Sequence, residues 1–154
     1  AARQSFEQAN LEGLVWLEQR WDGASEAKRV AILDIARSAW YDRRDSPDQW
    51  EVTQRLARRG FGDTSFAVRA KAIDAVRQDE AMVPDMLPAL VALLRDAPQE
   101  QAHHAAYRLS TLGAKAKPIE AELRTLTEHK DEIVRLAVLR ALGAIEDAAK
   151  KAAK

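Results

Sequence analysis

The sequence predicts an all-α protein built from paired helices. Apolar residues recur at spacings of three and four along the chain, and no stretch shows the sustained alternation of a β-strand. The apolar pattern also repeats, since a step of 33 residues carries Val76 onto Leu109 and then onto Leu142. A repeat of this length that contains two helices is typical of an α-solenoid, in which each hairpin buries its apolar stripe against the next. We therefore predict a solenoid of about four antiparallel helix hairpins.

Both helices of a hairpin obey the repeat. In the helix before the one that contains Leu109, the 33-residue step relates three apolar residues to three others. It carries Met86, Leu90 and Leu93 onto Ile119, Leu123 and Leu126. Segment 27–37 resembles segment 67–77 at a step of 40, and the seven extra residues fall in the polar stretch 41–47, which we interpret as a longer loop. The chain is thus expected to be one domain, 1–154, with units at 5–42, 48–78, 83–113 and 117–149.

Eight helices follow from the apolar periodicity and from residues that commonly begin or end a helix. We place them at 5–21, 25–42, 48–59, 64–78, 83–95, 99–112, 117–128 and 131–149. Short side chains that can accept from the first-turn amides stand before four of them: Ser25, Ser46, Asp63 and Asp131. Prolines, whose missing N–H costs little in a first turn, lie near the starts of three: Pro47, Pro84 and Pro118. Glycines that can take the left-handed C′ conformation follow three: Gly23, Gly60 and Gly113.

The helical phase also predicts the core. The residues expected to form it are Val68, Ala72, Val76, Leu90, Leu93, Leu109, Leu123, Leu126, Val138 and Leu142.

Composition excludes several classes of protein. The 154 residues include no cysteine, which rules out a disulfide scaffold, thiolate-bound zinc and thiol catalysis. The 24 basic residues balance the 24 acidic ones, and a division at residue 77 leaves net charges of +1 and −1. Neither half is therefore strongly basic, and a nucleic-acid partner is not expected. Apolar runs fall far short of the roughly 20 residues of a membrane helix, and no signal layout begins the chain. We expect a soluble protein, with the cytoplasm favoured; its compartment and oligomeric state are left open.

Two segments resemble HEAT repeats. Residues 130–143 are similar to the second helix of such a repeat, and Asp63 stands six positions before Arg69, which is the family's usual spacing of Asp and Val-Arg. Arg135 repeats the Val-Arg pair, whereas the middle unit has Gln101 and Ala102 there. The resemblance covers 63–145 well and the N-terminal part weakly. It implies an Asp–Arg ladder between repeats, a concave face lined by the second helices, and roles as scaffold, adaptor, enzyme subunit or occasional nucleic-acid binder.

No residue constellation points to catalysis or to a metal. His103 and His104 are adjacent, so on a helix they point about 100° apart and cannot chelate one ion as an i, i+4 pair does. Phosphate loops, nucleophile elbows and paired-carboxylate motifs are missing from the sequence. We expect no intrinsic enzyme activity and no cofactor.

The polar faces of the second helices are the first candidate binding surface. Opposite the apolar stripes, the repeat step brings together residues of both charges and one tyrosine: Asp34, Arg37, Asp74, Arg77, His103, Tyr107 and Arg140. Because such helices line the concave side in the HEAT-like family, the resemblance implies a ligand here. The alternative is a solvated face with ion pairs between repeats, each contributing at most about 1 kcal/mol.

Trp16 is the second candidate. Helix one gathers its apolar residues into an arc centred near Leu14, and Trp16 points roughly opposite. Trp16 then packs on loop 41–47, lies in a helix buried on both sides, or is an exposed anchor for a partner. Trp40, by contrast, falls within its helix's apolar arc and is predicted to be core.

These features favour a non-catalytic scaffold or adaptor that binds a protein or peptide. Two alternatives stay open: a regulatory or substrate-positioning segment of a larger enzyme, including the bilin-lyase type, and a HEAT-like nucleic-acid binder.

Overall fold

The computed structural model describes residues 2–42, 46–77 and 79–153, and the side chains of 8–38, 46–77 and 79–153. The described residues form helices and no β-strand, which confirms the all-α class. The helices are α1 (Ala2–Gln19), α2 (Glu26–Asp42), α3 (Pro47–Phe61), α4 (Phe66–Ala75), a 3₁₀ turn (Glu80–Met82), α5 (Val83–Asp96), α6 (Gln99–Leu112), a 3₁₀ segment (Gly113–Ile119), α7 (Glu120–Thr125) and α8 (Glu132–Ala152). None of the helices in these ranges has the length and apolarity needed to cross a membrane.

Each predicted helix has a counterpart, but the seventh is much shorter than expected. The sequence predicts a helix over 117–128, whereas a 3₁₀ segment runs to Ile119 and α7 has only six residues. Pro118 lies inside the 3₁₀ segment and has no N–H to donate to the carbonyl four residues back.

The chain divides into two compact units, Ala1–Met82 and Val83–Lys154, and the boundary falls between the second and third predicted repeats. In the first unit α3 is central, because it packs against α1, α2 and α4. Helix α2 packs extensively on α4, whereas α1 touches α2 only slightly. The core of this unit includes Leu14, Trp21, Leu33 and Leu56.

In the second unit α8 is the main packing partner. It lies against α6, the 3₁₀ segment and α7, while α5 packs on α6 and on the 3₁₀ segment. Helices α6 and α8 run in the same direction, since His103 approaches Asp131 at their starts and Gly113 approaches Ala144 farther along.

The predicted core is confirmed residue by residue. All ten side chains are buried, and Leu109 is completely inaccessible to solvent. The core prediction for Trp40 falls on a side chain outside the described residues.

Two of the four predicted N-caps are confirmed. Ser25 Oγ accepts from the Lys28 amide at 3.4 Å, and Asp131 accepts from the amides of Ile133 and Val134. Ser46 stands at the N-cap of α3, but its side chain accepts no capping bond. The prediction for Asp63 is wrong, because α4 begins later than expected.

The residue that caps α4 is Ser65, whose Oγ accepts from the Val68 amide at 3.3 Å. Asp63 Oδ1 accepts instead from the amide of Ser65, so it shapes the turn that precedes the helix. The sequence places the start of α4 at 64, two residues before its actual start at Phe66. The N-cap was therefore assigned to Asp63 and not to Ser65.

One of the three predicted C′ glycines has a positive φ. Gly113 adopts φ 52° at the end of α6 and donates its amide to the Leu109 carbonyl. No positive φ occurs at Gly23, and Gly60 lies inside α3. A Cβ at Gly60 would stand 2.6 Å from the Cβ of Ala72 in α4, so this glycine permits close helix contact.

Candidate interaction surfaces

The predicted charged face is held together by ion pairs within the first unit. Arg37 contacts Asp74 at 2.7 Å, and Arg77 contacts the same carboxylate at 3.5 Å. Lys71 of α4 contacts Asp34 of α2 at 3.0 Å, so here the cation is on α4 and the carboxylate on α2. Two ion pairs of opposite polarity therefore join α2 to α4. Every predicted site residue of this unit's charged face therefore has an ionic partner on the same face.

The remaining residues of the predicted face lie in the second unit. His103 Nε2 lies 2.8 Å from Asp131 Oδ2, and this hydrogen bond lowers the pKa of the Asp131 carboxyl. Tyr107 is 71% exposed, and Arg140 is exposed on α8. His103 thus ties the start of α8 to α6, while Tyr107 and Arg140 present their side chains to solvent.

Arginines at the starts of the second helices share one contact. Arg69 donates to the main-chain carbonyl of Asp63, and Arg135 donates to that of His129 at 2.6 Å. Arg29 reaches the Ala24 carbonyl at 2.7 Å in the same manner. Each guanidinium therefore fastens the turn before its own helix.

The expected pairing of the Asp63 carboxylate with Arg69 is not formed. Arg29 occupies that carboxylate instead, with Nε 2.8 Å from Oδ2 and Nη2 3.3 Å from Oδ1. This is a connection between hairpins, because Arg29 belongs to α2 and Asp63 precedes α4. Arg69 donates to the main-chain carbonyl of Asp63 and not to its carboxylate. The six-residue spacing of Asp63 and Arg69 is the same for either acceptor, so the sequence alone could not distinguish them.

Changing Asp63 tests this connection. Asp63→Ala is expected to lower the free energy of unfolding by about 1–3 kcal/mol, because Arg29 loses a partly buried acceptor. Asp63→Asn keeps an acceptor for Ser65 but removes the charge, so it should also destabilise. Chemical denaturation of both variants, and a double-mutant cycle with Arg29→Met, should give a coupling above about 0.5 kcal/mol. A neutral Asp63→Asn would show that the turn alone matters.

An open groove lies between the second half of α1 and the first half of α2. Its volume is about 630 Å³, and it exists because α1 rests on α3 and barely touches α2. Trp16 and Ile35 are 52% and 51% exposed, so the groove is open to solvent along its walls. The residues that line it are Trp16, Leu17, Gln19, Arg20, Gly23, Ala24, Lys28, Ala31, Ile32 and Ile35.

Ion pairs with α3 hold α1 in this position. Arg55 donates Nε and Nη2 to the two oxygens of Glu18, each at 2.9 Å, which is the bidentate geometry that strengthens such a pair. Arg59 donates to the Glu18 carbonyl and pairs with Asp22. The hydrogen bond from Arg55 lowers the pKa of the Glu18 carboxyl and raises the pKa of Arg55.

The Glu18 pair predicts a dependence on pH. Because folding lowers the pKa of Glu18, its contribution to stability is fully present above the ordinary value of 4.5 and is lost as the pH falls through the lower folded value. Glu18→Gln should cost up to about 1 kcal/mol at pH 7 and much less at pH 3. Urea unfolding at both pH values measures this, with the exposed Glu12→Gln as the control. An equal loss at both values would contradict the ionic role.

The groove combines an apolar floor with cations. The Arg20 guanidinium stacks on the Trp16 ring, 3.7 Å from its centroid, and donates to the Trp16 carbonyl. Lys28 is exposed, and its ammonium forms no ion pair with a residue that the structure describes. Among the side chains that the structure describes, none that lines the groove is acidic. In the described ranges, no three His, Asp or Glu side chains come together as a metal site would require.

Sequence analysis identified Trp16 but not the groove. Helical phase placed its indole away from the apolar arc, and the structure leaves it exposed rather than buried on both sides of the helix. Ile35 and Lys28 were missed because they border the groove only when α1 is seated on α3, and no local pattern encodes that. No family model, curated protein or solved structure matches the chain.

Proposed function

We propose that this chain is a non-catalytic protein-interaction module that binds a segment of a partner protein in the groove between α1 and α2. The observation that carries the proposal is the exposed Trp16 indole, which lines an apolar groove together with Ile35. Exposed tryptophans in concave apolar surfaces are the residues that most often dominate binding energy. The bidentate Arg55 pair preorganises the groove by fixing α1 on α3.

The charge of the groove indicates the chemistry of the partner segment. Of the described residues that line the groove, Arg20 and Lys28 carry a charge, and both are cations. A bulky apolar side chain between Trp16 and Ile35, with a carboxylate beside it, would match both features. We therefore propose an acidic, apolar peptide segment as the ligand.

Other partners fit less well. A polyanion is recognised through many phosphate contacts, roughly six to ten in a typical complex, whereas this groove offers two cations. The charged face of α2 and α4 has its ionic groups paired with one another, so a ligand there would first have to break the contacts of Arg37 and Lys71. The groove needs no such rearrangement.

We further propose that the hairpins are of the HEAT-like type. Support comes from the 33-residue step and from the parallel second helices within each unit. Ion pairs that advance together along α2 and α4 show that these two are parallel, as are α6 and α8. The recurring arginine contact of Arg29, Arg69 and Arg135 with the preceding turn adds to it. In such repeat proteins binding surfaces are common and catalysis within a repeat is not required by the fold.

A peptide-display selection tests the proposed function. Random twelve-residue peptides are selected on the immobilised protein, and the winners are measured by calorimetry. We expect sequences that combine Trp, Phe or Leu with Asp or Glu, and an affinity at least about tenfold lower for Trp16→Ala. Lys28→Glu should weaken the same peptides. Both residues are exposed, so thermal stability should stay nearly unchanged.

The charged face supplies the matched controls. Arg77→Glu and Tyr107→Ala alter the surface that the sequence alone favours, and they should leave binding of the selected peptides intact. Binding that survives Trp16→Ala and fails with Tyr107→Ala would place the site on that face and overturn the groove assignment.

A further inference from the structure

The exposed face of α8 carries a stripe of apolar side chains. Ile133, Leu136 and Leu139 are 50%, 46% and 52% exposed, and their spacing of three residues places them on one side of the helix. Gly143 continues this side, and a Cβ there would meet no atom within 4 Å. A contiguous apolar surface is typical of a site that contacts another molecule, whereas single exposed apolar residues need no explanation.

The repeat shows that the position of Leu139 serves helix packing elsewhere in the chain. Steps of 33 and 66 residues back from Leu139 give Ala106 and Ile73. Both are buried, at 1% and 0% exposure, whereas Leu139 is half exposed. Leu139 is therefore at a helix-packing position that no helix covers within the described chain.

Charges of opposite sign flank the two ends of the stripe. Glu132 lies four residues before Leu136, and Arg140 lies four residues after it. Both are exposed, and neither side chain forms an ion pair or hydrogen bond with any residue in the described ranges. Ile133 and Leu139 likewise stand three residues before and after Leu136.

We propose that two copies of this chain associate through antiparallel α8 helices, with Leu136 at the two-fold axis. In a two-fold interface each residue meets the residue at the equal and opposite distance from the axis. Ile133 then lies at the level of Leu139 of the second copy, and Glu132 at the level of Arg140 of the second copy. A parallel pair would align Glu132 with Glu132 and Arg140 with Arg140, which opposes that orientation.

We expect a weak dimer, and its proposal does not rest on the groove at Trp16. A single helix face is a small contact beside the roughly 800 Å² per partner of a standard interface, so the dimer population should rise with protein concentration. The occupants that compete with a second copy are helices of other sequence, which would lack the reciprocal match of Glu132 and Arg140.

Charge reversal tests the proposal by sedimentation equilibrium of the full chain. Wild type should dimerise with rising concentration, and Leu136→Glu should remain monomeric. Glu132→Arg and Arg140→Glu should each raise the dissociation constant at least about tenfold, because both juxtapose like charges twice. The double variant E132R/R140E should regain the wild-type value, and an equimolar mixture of the two single variants should form heterodimers.

These outcomes separate the proposal from its competitors. Circular dichroism controls for folding, and all the changed side chains are solvent-exposed. A wild type that stays monomeric to millimolar concentration overturns the proposal. Dimerisation that is unaffected by Leu136→Glu or by the charge reversals overturns it as well, because the copies then meet elsewhere.

Discussion

Replacing Gly60 by Ala is expected to lower the free energy of unfolding by about 1–3 kcal/mol. The added methyl would lie 2.6 Å from the Ala72 Cβ and 3.3 Å from Leu33 Cδ1, distances at which α3 and α4 must move apart. Alanine is intrinsically better than glycine in a helix by about 1 kcal/mol, so any net loss reports the clash. Urea denaturation of the variant measures it.

Gly143→Ala is the matched control. Gly143 also lies within a helix, but a Cβ there meets nothing within 4 Å. At protein concentrations where the chain is monomeric, this change should therefore be neutral or should stabilise by up to about 1 kcal/mol. A second-site change sharpens the test, since Ala72→Gly removes the opposing methyl and should recover part of the loss in the Gly60→Ala background. Equal effects of Gly60→Ala and Gly143→Ala would refute the close approach of α3 and α4.

Truncating Leu109 to Ala should cost about 2–5 kcal/mol. Leu109 lies on α6, which packs against both α5 and α8, and its side chain is fully buried. The loss combines the transfer free energy of the removed methyl groups with the cavity that they leave. Thermal and chemical unfolding give the value.

Leu139→Ala provides the comparison for Leu109. Leu139 is 52% exposed, so at protein concentrations where the chain is monomeric the change should stay within about 0.5 kcal/mol. A loss below about 0.5 kcal/mol for Leu109→Ala would place that residue outside the core and would undermine the 33-residue repeat on which its assignment depends.

The periodicity of apolar residues predicted the features of the fold that depend on local sequence. The helix positions and the ten core residues follow from apolar spacing, because a buried stripe has to recur every three or four residues. Position-specific roles were predicted less well. Gly60 follows an apolar segment as a C′ glycine would, yet α3 continues through it. Its role is to leave room for the close contact with α4, which a side chain would block.

The candidate site shows the same division. The phase of α1 marks Trp16 as pointing away from the core, and this local inference needs no tertiary information. The groove itself depends on the seating of α1 against α3, where Glu18 pairs with Arg55, a residue 37 positions farther along the chain. The ion pairs of Arg37 and Asp74 likewise depend on the seating of α2 against α4.

The central claim is that partner binding uses the groove at Trp16 and not the charged face. Amide and indole chemical shifts of ¹⁵N-labelled protein, recorded while a selected peptide is added, test this most directly. The account predicts the largest shifts at the Trp16 indole N–H and at the amides of Gly23, Ala31 and Ile35. Shifts centred on Arg77, Tyr107 and Arg140, with the Trp16 indole unchanged, would contradict it.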